Sequence, residues 1–346
     1  MASDVSSPAD TPPAVSPWPQ VAAVVALLTV IIGALLTAFA WPAVRSSVHD
    51  VPIAVAGPAA ATDQVTAALQ QRLPGAFDIT RVADTAAAEA AVLNREVYGA
   101  IDVSTGTPQV IIASAASPSV AQTLQQMAGA LTQATGDASA AAGAVRDIAP
   151  LPADDPRGAG LSAGSLPLVM GGMLAAVLLT NRIRGTGRRV VGALAFAVTG
   201  GLAIAAILQF WFGSITGAYW ANSGVVALSI AATSLTLLGL ESLLGYAGFG
   251  LGAVIMMLIG NPLAGTATAP QMLPGWSGTL GQLLPPGAAG SLLRSTAFFD
   301  GHGAARPLTV LLAWLALGAI LCAVGALRAP SRTTAVSAPP AAAAVA

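Results

Sequence analysis

The sequence contains no lysine, because all 14 of its basic residues are arginine. A Walker A loop requires a lysine that reaches the β- and γ-phosphates of the nucleotide. This chain therefore lacks the residue that such a loop needs, and any ATPase that acts with it must be a separate subunit. We expect a protein that is not an enzyme, with no catalytic residues.

Cysteine and histidine are almost absent as well. Cys322 is the only cysteine, so neither an intrachain disulfide nor a cysteine-based metal site can be built. His49 and His302 lack the neighbouring ligands that a metal site requires. We predict that both are interfacial polar residues, and we predict no cofactor-binding or metal-binding residues.

Charged residues make up only 8% of the chain, whereas soluble domains contain roughly 25%. Hydrophobic residues reach 55%, and the mean hydropathy is +0.75. We therefore expect most of the chain to lie in the lipid bilayer. The sparse arginines form no basic footprint, so nucleic acid is not an expected partner.

Long apolar runs predict an α-helical polytopic membrane protein with about six transmembrane helices. The first, TM1, covers residues 21–41 and has the roughly 20 residues needed to cross the hydrocarbon core. The A-x-A sequence from Ala38 to Ala40 leaves a cleaved signal peptide as the alternative, but the run is too long for one and no basic residue precedes it. Within a membrane domain of residues 165–328, five further helices are predicted at about 163–181, 190–212, 223–242, 245–262 and 307–327.

Two other kinds of segment surround these helices. Residues 1–20 and 329–346 are rich in proline, serine or alanine and are predicted to be disordered tails. Residues 42–164 have the mixed pattern of an inserted extracytoplasmic α/β domain, and its last part, 148–160, is a linker that returns the chain to the membrane. Its predicted strands are 50–56, 77–82, 97–103 and 109–114, and its predicted helices are 62–73, 85–96 and 118–144.

A short arginine-rich turn sets the predicted orientation. Arg182, Arg184, Arg188 and Arg189 lie between two apolar runs, and the positive-inside rule places them in the cytoplasm. Both termini are then cytoplasmic, and the 42–164 domain and the 263–306 loop are extracytoplasmic. The four arginines are either a topology signal alone or a docking surface for a cytoplasmic ATPase.

Three residues near the predicted fourth and fifth spans carry further hypotheses. Glu241 is the one charge between Arg189 and Arg294, and it is either a helix-end charge that reaches water or an arginine of the turn, or part of a translocation path. Gly248 and Gly252 form a small-xxx-small pair, which serves helix packing within the chain or a contact between subunits.

The Pro/Gly-rich loop 263–306 is too apolar for an ordinary solvated loop and too broken to span a membrane. Such segments suit short re-entrant or interfacial helices, provided that protein covers their free backbone groups. Trp276 is predicted to be an interfacial anchor of this loop.

These features together resemble the ABC-2 type exporter permeases, and more closely their divergent phage-infection-protein-like relatives. The resemblance rests on one helix, a large outer domain, and five helices with a Pro/Gly-rich segment before the last. Two stretches look similar to actinobacterial members: NREVYGAIDV at 94–103, and GNPLAG with LPPGAAGSLLR at 260–265 and 284–294. The resemblance implies a permease half that pairs with itself or a similar permease and is driven by a separate cytoplasmic ATPase.

The expected function is therefore that of the membrane subunit of an ATP-driven exporter in a bacterial plasma membrane. The alternative is a non-transporting envelope protein whose outer domain binds a secretion component or a cell-wall ligand. Neither the substrate nor the partner ATPase can be read from the residues.

Overall fold

The computed structural model describes residues 16–105, 107–135 and 145–328. Over these residues a small mixed sheet is joined to a larger set of helices. In chain order the elements are α1 (Trp18–Arg45), β1 (Val51–Ala56), α2 (Ala59–Arg72), β2 (Phe77–Val82), α3 (Thr85–Leu93), β3 (Gly99–Asp102), β4 (Gln109–Ile112), α4 (Pro118–Thr135), β5 (Val145–Asp147), α5 (Ala159–Arg182), α6 (Thr186–Ala206), α7 (Tyr219–Leu244), α8 (Tyr246–Ala253), α9 (Ser277–Gln282), α10 (Pro285–Phe298) and α11 (Ala305–Arg328). π-Helical turns extend α6 over Ile207–Trp211 and α8 over Val254–Gly260.

Five helices within the described ranges are long and apolar enough to cross a membrane: α1, α5, extended α6, α7 and α11. By length and composition the chain is thus a helical membrane protein. The run predicted as a span at 245–262 forms a shorter helix, with 8 residues in α8 and 7 in the π-helical extension. It falls short of the roughly 20 residues that a spanning helix needs. Gly245, at φ +64°, interrupts the helix on one side and Pro262 follows on the other.

Helix α1 begins at Trp18, so the prediction that a disordered tail reaches residue 20 is wrong. Pro17 is the extended N-cap, and Pro19 lies in the first turn, where a missing N–H costs nothing. Residues 1–15 of that tail, like the tail at 329–346, lie outside the described residues. No residue of the most apolar window of α1 is buried, so this helix stands beside the others.

The sheet domain, residues 51–147, is a five-stranded sheet in the described residues, ordered β2-β1-β3-β4-β5. Strand β1 pairs parallel with β2 and β3, β4 runs antiparallel to β3, and β5 runs parallel to β4. The first four strands lie within a residue or two of their predicted positions. Strand β5 was not predicted, because three residues with one exposed charge give no periodic signal. The predicted helix 118–144 is described as far as Thr135, and the remainder lies outside the described residues.

The core of the sheet domain is completed by residues from the other end of the chain. Ala269 and Met272 pack with Val51 and Leu124 on one face of the sheet, and Phe299 packs on the other. The Ser47 backbone N–H also donates to the Met272 carbonyl, 3.0 Å away. The sheet domain is therefore anchored to the 263–306 loop.

Helix α7 is the centre of the helical domain, and most of its apolar window is buried by α5, α6, α10 and α11. Small residues allow this packing. A Cβ on Gly318 of α11 would lie 2.5 Å from the Thr236 nitrogen, and one on Gly201 of α6 would lie 2.7 Å from the Ser223 carbonyl oxygen. Such close backbone approach is typical of helix packing in membranes, where burial supplies no hydrophobic driving force.

The segment Ser277–Phe298 forms a helical hairpin, α9 followed by α10, that we call the inserted hairpin. Its turn reaches Trp314, whose indole N–H donates to the Leu283 carbonyl at 2.8 Å. Trp314 lies nine residues beyond the start of α11, or about 13 Å along the helix axis at 1.5 Å per residue. Helix α10 is buried over most of its length. The hairpin thus enters the helical domain, with a side chain covering a carbonyl at its tip, while Trp276 at its base is exposed.

Candidate functional site

The four arginines of the α5–α6 turn fall into two groups. Arg189 uses three of its nitrogens: Nη1 binds Glu241 Oε2 at 2.9 Å, Nε donates to the Ile183 carbonyl at 2.8 Å, and Nη2 donates to the Thr180 carbonyl at 2.9 Å. It therefore joins the end of α5, the start of α6 and the end of α7. We expected Glu241 to reach either water or an arginine of the turn. In the structure its carboxylate forms an ion pair with Arg189.

Arg182, Arg184 and Arg188 remain exposed at the same end of the helical domain. Within the described ranges none of the three forms an ion pair. Gly185 makes the turn between them at φ +90°, a conformation that favours glycine. The turn therefore presents three unpaired cations in a compact surface.

Gly248 and Gly252 both face α7 of the same chain. A Cβ on Gly248 would lie 2.2 Å from the Leu240 carbonyl oxygen, and one on Gly252 would lie 2.5 Å from Leu237 Cδ2. The pair therefore packs α8 against α7. The structure does not offer these two positions as a free surface for a second subunit.

A cavity of about 400 Å³ lies at the opposite end, between the sheet domain and the 263–306 loop. Its volume is in the range of small-molecule sites. Polar side chains from both sides meet here, and no sequence pattern had pointed to it. The lining residues with polar or charged side chains are His49, Asp50, Arg95, Tyr98, Gln271, Thr279, Gln282, Ser291 and Arg306.

Arg95 is the most tightly held cation in the cavity wall. Its Nη1 donates to the Ser291 carbonyl at 2.8 Å and to Ser295 Oγ at 2.5 Å, both on α10. Its guanidinium carbon lies 5.4 Å from the centroid of the Phe299 ring, within the range of a cation–π contact. Arg95 thus fixes the sheet domain to the inserted hairpin, with its charge at the cavity.

Arg294 lies close behind this wall and is 95% buried, because its exposed fraction is 5%. Its Nη2 donates to the Thr266 carbonyl at 2.9 Å, whereas its Nε has no partner among the described residues. Burial lowers the pKa of Arg294 to about 10, and the nearby Arg95 charge acts in the same direction. The group still carries its charge at neutral pH.

Tyr98 supplies no negative charge to balance these arginines. Burial raises the pKa of its phenol, although the two guanidinium groups and the hydrogen bond with Gln271 act in the opposite direction. The neutral hydroxyl donates to Gln271 Oε1 at 3.0 Å. Asp50 is thus the carboxylate among the lining residues, and it forms no ion pair with Arg95 or Arg306 in the described structure.

The cavity joins the two stretches on which the family resemblance rests. Arg95 and Tyr98 belong to NREVYGAIDV, and Ser291 and Arg294 belong to LPPGAAGSLLR. In addition, Gln282 Nε2 donates to the Ala264 carbonyl of GNPLAG at 2.8 Å. These stretches lie almost 200 residues apart in sequence, and the tertiary structure brings them together.

Comparisons with known proteins add no assignment. No family model, curated protein or solved structure matches the chain.

The cavity could not be predicted from the sequence, because its arginines lie far apart along the chain and belong to no recognisable motif. Arg95 lies between Asn94 and Glu96 in a mixed stretch, Arg294 is the lone charge of an apolar stretch, and nothing in their spacing links them. One signal was present: an arginine within the long apolar stretch from 190 to 305 is costly to bury and indicates a specific partner. Among the described residues no group of three histidine, cysteine, aspartate or glutamate side chains could hold a metal ion.

Proposed function

We propose that this chain is the permease-like subunit of an ATP-driven exporter of the ABC-2 type, which works with a separate cytoplasmic ATPase. The supporting observation is the exposed, unpaired group formed by Arg182, Arg184 and Arg188. Clustered cations of this kind complement an acidic groove on a partner. Arg189 is left out of the proposed docking surface, because it is bound to Glu241.

In this proposal the α5–α6 turn faces the cytoplasm, as the positive-inside rule requires. The sheet domain contacts the other end of the helical domain, through Arg95 and Ser295 among others, and so faces outward. Helix α1 leads into the sheet domain and α11 leads away from it. Both termini are then cytoplasmic, in a bacterial plasma membrane.

A translocation path between two permease halves is part of the same proposal. The apolar surface of α1 is left uncovered by its own chain, since its contacts in the described structure are mainly with the segment 254–264. We place the second copy, or a similar permease, on this side. Gly248 and Gly252 are not part of that contact, because they face α7.

The alternative proposal is a non-transporting envelope protein whose sheet domain binds a secretion component or a cell-wall ligand. The observation that favours it is the polar cavity between the sheet domain and the inserted hairpin. A ligand-binding role on that side needs no ATPase. The two proposals are therefore separated by testing the arginine turn.

The test is the double variant Arg184→Glu and Arg188→Glu in the full chain. Both side chains are exposed and form no ion pair in the described structure, so folding should be unchanged. The expected result is loss of co-purification with the ATPase and loss of the associated export or resistance phenotype. Arg328→Glu is the matched control, because Arg328 is also an exposed arginine at the end of a spanning helix.

Charge reversal also weakens the topology signal, so orientation must be measured in the same variants by thiol labelling. A double variant that keeps its orientation and still binds the ATPase at the wild-type level contradicts the docking surface. Persistence of the phenotype in that variant would favour the envelope-protein alternative.

A further inference from the structure

The cavity between the sheet domain and the inserted hairpin holds more positive than negative charge. Arg95 and Arg306 line it, Arg294 lies behind it, and Asp50 is the carboxylate in its lining. Buried or partly buried cations without a carboxylate partner are costly, and they persist where an anion completes the site.

We propose that this cavity binds a phosphoryl group, with Arg95 and Arg306 as its guanidinium ligands. Arginine donors match the oxygens of phosphate in a bidentate geometry. This inference does not depend on the exporter proposal, because it concerns the opposite end of the molecule and requires no ATPase.

Arg95 is already oriented for such a ligand. Its Nη1 is used by Ser291 and Ser295, whereas no described residue accepts a hydrogen bond from its Nε or Nη2. Gly303 packs against the stem: a Cβ there would lie 3.2 Å from Arg95 Cβ. The phosphoryl group would therefore meet a side chain that loses little freedom on binding.

The backbone of Arg95 supports a functional reason for this side chain. Arg95 has φ +61° just after α3, at a position where helices usually place glycine. An arginine in the left-handed region is strained, and strain of this type accumulates at functional sites. The side chain is therefore needed at a position where the backbone alone would favour glycine.

Arg306 approaches from the other side of the cavity. It is the second residue of α11, and it is exposed with no ion pair among the described residues. Its charge adds to the positive end of the α11 dipole, which favours an anion at the same place. The cavity thus offers two cationic groups from two separate elements.

Two sources can supply the phosphoryl group. The cavity borders Pro307, in the first turn of the apolar helix α11, and Gly275, next to the exposed Trp276. Tryptophan at such a position is typical of the headgroup region of a bilayer. A phospholipid headgroup and a soluble phosphate ester therefore share the required chemistry, and the experiment must separate them.

The experiment uses the purified full chain in two arms. In the first arm, phosphatidylglycerol is titrated onto the protein in dodecyl maltoside micelles, which contain no phosphoryl group, and the thermal unfolding midpoint and the lipid retained after repurification are measured. In the second arm, glycerol phosphate is titrated onto the protein in the same phosphate-free micelles. Saturating binding in either arm is expected, and the arm in which it occurs identifies the source.

Arg306→Gln is the main variant, because the exposed Arg306 side chain forms no ion pair among the described residues whose loss could unfold the protein. We expect at least about tenfold weaker binding, as for the loss of one charge-assisted contact. Arg95→Lys should weaken binding by a similar factor, because lysine keeps the charge but not the planar fork. Arg157→Gln, at another exposed arginine of the same side, should bind as the wild type does.

The proposal is overturned if the wild-type chain binds in neither arm. It is also overturned if Arg306→Gln and Arg95→Lys both keep wild-type affinity in the arm that binds. A loss that is equal in the Arg157→Gln control would show that general surface charge, not the cavity, attracts the anion.

Discussion

Arg189 Nη1 lies 2.9 Å from Glu241 Oε2, and this ion pair connects the start of α6 to the end of α7. Both side chains are shielded, with exposed fractions of 20% and 15%. Arg189 also caps two carbonyls near the end of α5. The one carboxylate between Arg189 and Arg294 is thus part of a three-helix junction.

Removal of either charge should destabilise this junction. We expect Glu241→Gln and Arg189→Gln each to lower the free energy of unfolding by about 1–3 kcal/mol, because each leaves a shielded charged group without its partner. The double variant should cost less than the sum of the two, since the pair acts as a unit. Thermal unfolding of the purified protein measures all three, with Arg188→Gln as the exposed control.

A different result would assign Glu241 to a translocation path. In that case Glu241→Gln would abolish export while the unfolding midpoint stayed at the wild-type value. Equal losses of stability in both single variants would support the junction.

Glycine substitutions in α8 should have graded effects. Gly248→Ala places a Cβ 2.2 Å from a backbone oxygen of Leu240, which cannot move aside, so we expect a cost of about 1–3 kcal/mol. Gly252→Ala meets the flexible end of Leu237 and should cost less. Gly250→Ala meets nothing within 4 Å and should be neutral or slightly stabilising, because alanine favours the helix.

The order of unfolding midpoints across these three variants tests whether α8 packs against its own α7. If Gly248→Ala leaves the midpoint unchanged but disrupts a dimer, the pair belongs to a subunit contact.

Asp102 is predicted to make the stability of the sheet domain fall at acid pH. It is buried, its Oδ2 accepts from Thr85 Oγ1 at 2.5 Å, and its Oδ1 accepts from the Ser104 N–H at 2.9 Å. Burial alone would raise the pKa of Asp102, but the hydrogen bonds from Ser104 and Thr85 outweigh it and hold the pKa below its ordinary value.

A lowered folded pKa means that ionised Asp102 stabilises the fold above its unfolded pKa of about 3.9. That stabilisation is lost as the pH falls through the still lower folded pKa. We expect Asp102→Asn to cost about 1–3 kcal/mol near pH 7, and the difference from the wild type to shrink below about pH 4. Unfolding midpoints across this pH range test it, with the exposed Asp78→Asn as control. A difference that is constant with pH would contradict the electrostatic origin.

Orientation can be tested at three exposed positions, Thr105, Gly187 and His302. In a Cys322→Ala background, single cysteines at Thr105 and His302 should react with an impermeant thiol reagent added to intact cells, whereas one at Gly187 should react only after lysis. Gly187 accepts a side chain, because a Cβ there meets nothing within 4 Å. Labelling at Gly187 in intact cells would reverse the proposed topology.

Much of the fold could be read from local patterns. Apolar runs about 20 residues long placed α1, α5, α6, α7 and α11, because the hydrocarbon thickness requires that length. Alternation of apolar and polar residues, bounded by proline and glycine, predicted the ends of strands β1 to β4 within a residue or two. Patterns failed where elements are short: β5 has three residues, and the run at 245–262 forms a helix too short to span.

The sequence by itself determined that the chain belongs in a membrane, that it contains no Walker A lysine, and that four arginines gather in one turn. It could not determine which arginines remain free, because that depends on Glu241 reaching Arg189 from 52 residues away. The cavity lined by Arg95 and Ser291 was also decided by tertiary structure alone, since packing of the inserted hairpin brings together groups 196 residues apart. Hydropathy is a property of each residue and can be read from the sequence. Charge pairing depends on the distances between charged side chains, which only the folded chain determines.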